Sequence, residues 1–272
     1  MGILAGKKGL VMGVANDKSI ATAIAKKLME EGAEVGISHL PDDPSTGRTR
    51  NRDRASEALN GAPTAFMLPC EVSSDESMAK FFEDASNKFG GSFDFVVHSI
   101  AFAPMDDIRC KTTEASRKGF SLAMDISVYS FLAMSNLASK YMKDGGSIVA
   151  MTYLGGEKVM PGYNMMGICK AALDASVMYA AYDLGPKNIR VNGISAGPIK
   201  TLAASAVGDF KDMLSLYEKS SPMRKNITQK DVANSALYLI SDLGSMVSGE
   251  ILHVDGGYHA MGVATLGGTE NI

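Results

Sequence analysis

Apolar residues along this chain fall into two alternating kinds of segment. Short, nearly continuous apolar runs read as strands buried on both faces, and longer segments with an apolar residue every third or fourth position read as helices packed by one side. Lys8 to Val14 is the first run, with Gly13 near its end. Ser19 to Met29 follows, with apolar residues at 20, 24 and 28, Ser19 as a helix N-cap and Gly32 as the stop. Glu34 to His39 is a second strand. Strand, glycine turn, helix, glycine, strand makes a βαβ unit, the kind of cradle that places a pyrophosphate at a helix N-terminus.

The alternation continues to the end of the chain. Thr64–Leu68 is a third strand, and residues 74–89 form an amphipathic helix with Met78, Phe81, Phe82, Ala85 and Phe89 inward. Phe93–His98 is a fourth strand, Thr113 to Met142 contains a long helix, and Ser147–Met151 is a fifth strand. A helix from Tyr163 to near Gly185-Pro186 leads to a sixth strand, Asn188–Ile194. Leu202–Ser221 reads as helical with a break at Gly208, either a core helix or a lid. Helix 229–241 and strand Glu250–Val254 close the pattern. With no repeat, linker or compositional boundary, the pattern predicts an α/β chain: one Rossmann-fold domain over residues 1–272, a doubly wound seven-stranded parallel sheet flanked by helices, with lid helices at about 202–221.

Composition narrows the function classes without choosing among them. The 272 residues are 46% hydrophobic and 21% charged with a net charge of -3, which gives no electrostatic reason for nucleic-acid or membrane-surface binding. No apolar run approaches the ~18 residues of a membrane span, and Met-Gly-Ile-Leu-Ala-Gly-Lys-Lys lacks a signal-peptide pattern, so the expectation is a cytoplasmic protein. Cys70, Cys110 and Cys169 lack metal-ligand spacing and read as free thiols, with Cys169 somewhat activated by Lys170; no metal site is expected.

Candidate chemistry collects just beyond the strand ends. A Gly-x-Gly-x-x-Gly motif is absent; Gly13 stands alone, with Ser19 six residues on. A nest of backbone N–H groups with the Ser19 hydroxyl suits phosphate, and a purely structural βαβ unit is the competing reading. After the second strand, residues 40–62 read as a long loop with arginines at 48, 50, 52 and 54, either solvated or in contact with a cofactor 2′-phosphate. His39-Leu40 stand where an acidic residue would hold a ribose hydroxyl, so NADH and NADPH both stay open. Glu71 suits an adenine amino group, and Val72 its ring. The small residues of Ser99-Ile100-Ala101-Phe102 leave room for a nicotinamide ribose. Thr201 suits a phosphate or amide, and His98 reads as a core histidine with its hydrogen bonds satisfied.

One stretch carries the candidate reaction. Tyr163 and Lys170 are seven apart on one helix, nearly two turns, so both side chains leave the same face. An ammonium beside a phenol favours the phenolate, so Lys170 is expected to lower the pKa of Tyr163. Tyr153, ten residues earlier at the end of the fifth strand, suits the same place. A helix with ordinary tyrosines and a surface lysine is the plainer alternative.

Taken in order, these segments resemble the short-chain dehydrogenase/reductases over nearly the whole chain. The general member has tyrosine and lysine four apart and Asn-Asn-Ala-Gly after the fourth strand; here Met166 stands four before Lys170, and the strand runs into His98-Ser-Ile-Ala-Phe-Ala. Tyr-x6-Lys with a second tyrosine ten upstream is similar to the bacterial enoyl-acyl-carrier-protein reductases of type II fatty acid synthesis. So are Gly13-Val-Ala, Ser19-Ile-Ala, Ser195-Ala-Gly-Pro-Ile-Lys-Thr-Leu-Ala-Ala-Ser and Val254-Asp-Gly-Gly-Tyr.

The resemblance implies NADH-dependent reduction of a trans-2-enoyl thioester, without excluding NADPH. It implies Tyr153, Tyr163 and Lys170 as catalytic residues, Tyr163 donating its hydroxyl to the thioester carbonyl and Lys170 holding the nicotinamide ribose. Gly13, Ala15, Ser19, Ile20, Ser99, Ile100, Ile199 and Thr201 would contact the cofactor backbone, and Glu71 and Val72 the adenine. Ala101, Phe102, Met166, Ala203, Ala204, Val207, Phe210 and Met213 would wall the acyl site beside Tyr153. An acyl-carrier-protein substrate and a homotetramer, packed partly through the apolar Tyr258–Leu266 tail, are further implications. His39-Leu40 departs from the aromatic-glutamine pair of that family, and Glu71 from its aspartate. A ketoreductase of the same superfamily and a non-catalytic NAD(H)-binding regulator are the rivals.

Overall fold

The structure is a computed structural model, and residues 2–43, 45, 47, 49–201 and 210–263 are described. Seven parallel strands form one sheet: β1 (Lys8–Met12), β2 (Glu34–His39), β3 (Phe66–Pro69), β4 (Phe95–His98), β5 (Gly146–Thr152), β6 (Ile189–Ala196) and β7 (Ile251–Val254). Their order is β3-β2-β1-β4-β5-β6-β7, so the winding direction reverses between β1 and β4. In register, Met12 pairs with His98, His98 with Ala150, and Thr152 with Ser195. The loops that follow these strands therefore open side by side along one sheet edge, the place where doubly wound sheets bind ligands.

The helices are α1 (Ile20–Glu30), α2 (Arg50–Leu59), α3 (Asp75–Lys88), α4 (Met105–Arg109), α5 (Arg117–Met124), α6 (Ser130–Ser139), α7 (Asn164–Leu184), α8 (Phe210–Ser220) and α9 (Gln229–Ile240). Side chains alternating along each strand divide the core. Val11, Val97 and Val149 face a cluster with Ile24 and Leu28 of α1, Ala55 and Leu59 of α2, and Val232 and Leu239 of α9. Leu10, Met12, Val96 and Ile148 face the other layer, where Met78, Phe81 and Phe82 of α3 meet Phe131 and Met134 of α6 and Leu173 and Val177 of α7. The inward residues expected for helix 74–89 are all buried. A third cluster, with Ala103, Ala123, Val128, Met165, Met166 and Cys169, lies under the reactive end of the sheet edge.

Two expectations need correction. The arginine-bearing stretch is no long loop: Arg50–Leu59 is helical, because Ala55, Ala58 and Leu59 share a buried face while its arginines face out. Asp42 anchors its start, accepting from the backbone N–H groups of Asn51 and Arg52. The helical segment Arg117–Ser139 has the length and mean hydropathy of a membrane span, although polar residues interrupt it throughout and it packs as a core helix. In the structure Phe131, Met134 and Ala138 of this segment are fully buried against the sheet. A turn of π-helix, Asp125–Tyr129, joins α5 to α6. Finally, His98 is only half satisfied. Ser130 donates to the Ile126 carbonyl, so His98 Nε2 is the donor to Ser130 Oγ at 2.8 Å, and Nδ1 has no partner. Burial holds that imidazole neutral, down to about 3.

Candidate active site

A cleft of about 850 Å³ runs along the C-terminal strand ends. Gly13, Ala15, Ser19, Ile20, Glu71, Val72, Ser99, Ile100, Ala101, Phe102, Tyr153, Tyr163, Met166, Lys170, Ile199, Thr201 and Met213 all line it. Ala203, Ala204 and Val207 fall outside the described residues; Phe210 begins α8, and nothing is described of its side chain.

The first end of the cleft is mostly backbone. Gly13 has φ +101°, and a Cβ there would lie 2.1 Å from the Ser99 carbonyl oxygen, so the β1 and β4 loops meet too closely for any side chain. Ser19 occupies the N-cap of α1 without the expected capping bond; its hydroxyl accepts instead from the Asn16 N–H at 3.2 Å. The first turn of an 11-residue helix is thus left uncapped by any protein side chain beside the cleft, which suits an anionic diphosphate. A dinucleotide fits this cradle of close backbone and an uncapped helix start. Glu71 Oε1 accepts from the N–H and hydroxyl of Ser73, so part of that carboxylate braces its own turn. Ser38, His39, Leu40, Asn51 and Arg54 complete this end.

The other end is built from side chains. Tyr153 follows β5, and Tyr163 is the N-cap of α7. Their rings meet edge to face at 4.8 Å and 72°. Among the described residues the Tyr163 hydroxyl has no protein hydrogen-bond partner, leaving its proton available to a ligand. Lys170 shares its face of α7 as the spacing predicts, but its ammonium donates to the Met151 carbonyl at 2.7 Å.

The expected lowering of Tyr163 is therefore reversed. Burial, with Tyr153, Cys169 and Asp174 adding to it, pushes the phenol well above its ordinary range and keeps it protonated. Burial also lowers Lys170 to about 8, partly offset by Asp174 one turn on. Asp174 is raised by burial to about 6, with the neighbouring Thr152 hydroxyl and Lys170 opposing the rise, and among the described residues neither carboxylate oxygen has a partner in good hydrogen-bond geometry. Cys169 is no activated thiol: it is fully buried, and desolvation raises it despite Lys170. Cys70 is pushed up to about 12.

Several shaping residues gave no signal in the sequence. Ser127, in the π-turn, both accepts from the Phe102 N–H and donates to its carbonyl, each at 3.1 Å. Asn164 holds positive φ and donates to the Ile108 and Cys110 carbonyls, tying the start of α7 to the far wall. Tyr217 of α8 reaches the Tyr153 hydroxyl at 3.2 Å.

A family model described as enoyl-(acyl carrier protein) reductase matches residues 13–259. The enoyl-[acyl-carrier-protein] reductase [NADH] 1 of Rhizobium meliloti is 48% identical over 263 residues, covering 96% of this chain and 93% of that one. The corresponding [NADPH] enzyme of Staphylococcus aureus is 47% identical over 259 residues, covering 95% and 98%. The crystal structure of the enoyl-acyl-carrier-protein reductase of Anaplasma phagocytophilum in complex with NAD superposes with a TM-score of 0.89 at 44% identity, covering 97% of this chain and 98% of that one.

Proposed function

This chain belongs to the enoyl-(acyl carrier protein) reductase family, and from that premise we propose how its cleft carries out the reaction. The chain is an NADH-using enoyl-acyl-carrier-protein reductase of fatty acid synthesis. Bound dihydronicotinamide supplies the hydride that reduces the β-carbon of a trans-2-enoyl thioester. Negative charge then develops on the thioester oxygen, where a preorganised donor lowers the barrier, and a proton added at the α-carbon completes the saturated thioester. Tyr163 is that donor. The observation that carries the assignment is its free hydroxyl in the cleft beside Tyr153 and Lys170. Because burial keeps the phenol protonated, it acts as a neutral hydrogen-bond donor and needs no phenolate.

Lys170 holds the nicotinamide ribose and adds positive charge. Gly13, Ala15, Ser19, Ile20, Ser99, Ile100, Ile199 and Thr201 form the cofactor bed, with Glu71 and Val72 at the adenine. Ala101, Phe102, Tyr153, Met166 and Met213 wall the acyl chain, joined by Ala203, Ala204, Val207 and Phe210 from the segment that we read as a lid.

The chain works as a single reductase domain in a cytoplasmic homotetramer. Large apolar side chains on the outer face of α7 (Met178, Tyr179, Tyr182) and near its neighbour α6 (Tyr129, Leu132) support subunit packing.

The test is NADH oxidation followed by absorbance, with crotonyl and acetoacetyl thioesters offered separately. Rapid turnover of the crotonyl compound, lost in Tyr163→Phe, is expected. Turnover of the acetoacetyl compound alone would replace this reading with a ketoreductase.

A further inference from the structure

Resting on the reading of Tyr153 and Tyr163 above, we propose that Tyr217 is a positioning residue for the reaction, a latch on α8 that fixes Tyr153 and, through it, the ring of Tyr163. Tyr217 is only 2% exposed, and its hydroxyl stands 3.2 Å from that of Tyr153. One turn earlier on the same helix, Met213 Sδ accepts from the Tyr153 hydroxyl at 3.5 Å. With the Tyr153 proton directed at sulfur, Tyr217 is the donor to the Tyr153 oxygen. Two groups of α8 thus grip one hydroxyl, so Tyr153 cannot shift without the helix.

The latch is anchored on its far side. The Tyr217 ring stacks on Tyr258 at 3.7 Å and 16°. Tyr258 follows the Asp255-Gly256-Gly257 turn, where buried Asp255 accepts from the N–H groups of Gly257 and His259. On the near side, Gly155 lies against both rings: a Cβ there would stand 2.5 Å from the Tyr163 ring and 3.1 Å from that of Tyr153. With no hydrogen bond to its hydroxyl among the described residues, Tyr163 is oriented by packing, between Gly155 and the edge of Tyr153. A contact chain therefore runs Tyr258, Tyr217, Tyr153, Tyr163 through four separate segments of the fold. Burial raises both Tyr217 and Tyr153, so the bond between them joins two neutral hydroxyls. A small misplacement of a donor can cost orders of magnitude in rate, which makes a buried hydroxyl at this remove consequential.

The experiment compares wild type, Tyr217→Phe, Tyr153→Phe, the double variant and Tyr163→Phe. It reads kcat and KM for crotonyl thioester, the NADH dissociation constant by nucleotide fluorescence, and the melting temperature. Tyr217→Phe is expected to lower kcat about five- to thirtyfold while NADH affinity stays within about twofold and folding is retained. In the Tyr153→Phe background the same change should cost almost nothing further, because Tyr217 acts through that hydroxyl. Tyr258→Leu removes the stack and keeps the Tyr217 hydroxyl; it should lower kcat in the same direction by less, and it decides the matter if Tyr217→Phe does not fold. Wild-type kcat in Tyr217→Phe beside an inert Tyr163→Phe would overturn the latch alone, as would a full second penalty in the double variant or a loss that follows NADH affinity. A Tyr163→Phe enzyme with wild-type turnover would overturn the reading of the site and the latch with it.

Discussion

The two ends of the cleft are made of different material. At the diphosphate end, contacts come from backbone and small residues that leave β1, β4 and β6, and Gly13 packs against Ser99 with no room for a Cβ. At the reactive end, Tyr153, Tyr163, Lys170, Met213 and Tyr217 come from β5, α7 and α8, and each is placed by its neighbours rather than by its own backbone. The first end is rigid because the sheet is rigid. The second is tunable, since burial sets its protonation states and ring contacts set its geometry. Binding and chemistry are thus supported by separable parts of one fold, and substitutions at the two ends should fail in different ways.

The largest expected effect lies at the reactive end. Tyr163→Phe removes the only donor assigned to the developing oxyanion and should lower kcat by about 10²–10³, roughly 3–4 kcal/mol of barrier. Its ring contact with Tyr153 is kept, so melting temperature and NADH affinity should change little. Turnover measured beside a nucleotide titration checks this, and a parallel loss of both would break the separation between the two ends.

Gly13→Ala is the matching change at the diphosphate end. Its penalty is to stability: positive φ and a Cβ on the Ser99 carbonyl should together cost on the order of 3 kcal/mol. Denaturant unfolding would show it. Whatever enzyme remains folded should bind NADH less well, with turnover per bound cofactor nearer to wild type.

The contrast also explains what could be read from sequence. The diphosphate end was legible because strand-end position and small residues are local properties, and Tyr163 and Lys170 were legible because one helix carries both. Interactions across the fold were not. Tyr217 lies 64 residues from Tyr153, and no periodicity links them. The direction of the Tyr163 shift was misjudged for the same reason: spacing put the ammonium on the right face, but the Met151 carbonyl captures it and burial dominates. Helix α2 was hidden by its charge, since only Ala55, Ala58 and Leu59 give it a buried face.

A smaller, pH-dependent effect should appear at Asp174. Its folded value near 6 lies above the ordinary 3.8, so the native state holds this proton more tightly than the unfolded chain. The contribution to stability is therefore present at low pH and lost as pH rises from about 4 to about 6. Lys170, lowered to about 8, shows the complementary behaviour: its ammonium is costly to bury below that pH, and stability recovers as pH rises toward 10.5. Both groups are ionised together only between about pH 6 and 8. Asp174→Asn should abolish the acid-side slope in melting temperature. It should also move the alkaline loss of NADH affinity to lower pH, because the carboxylate that supports the Lys170 charge is gone. An unmoved alkaline limb would mean that Lys170 does not govern cofactor binding.

The smallest effect tests a place where the diphosphate end uses long polar side chains. Arg54 and Asn51 of α2 line the cleft beside Ser38, His39 and Leu40, and no carboxylate ends β2 to claim a ribose hydroxyl. An exposed guanidinium there, with no ion pair among the described residues, is suited to a 2′-phosphate and contributes little to a plain ribose. Arg54→Ala should weaken NADPH binding about three- to tenfold while NADH changes by less than about twofold. Because the side chain is exposed, added salt should shrink the NADPH penalty. Equal weakening of both nucleotides, insensitive to salt, would mean that Arg54 acts only by holding α2 in place. The selectivity of this cleft would then rest on His39 and Leu40, at the end of the strand itself, and so return to the rigid part of the fold.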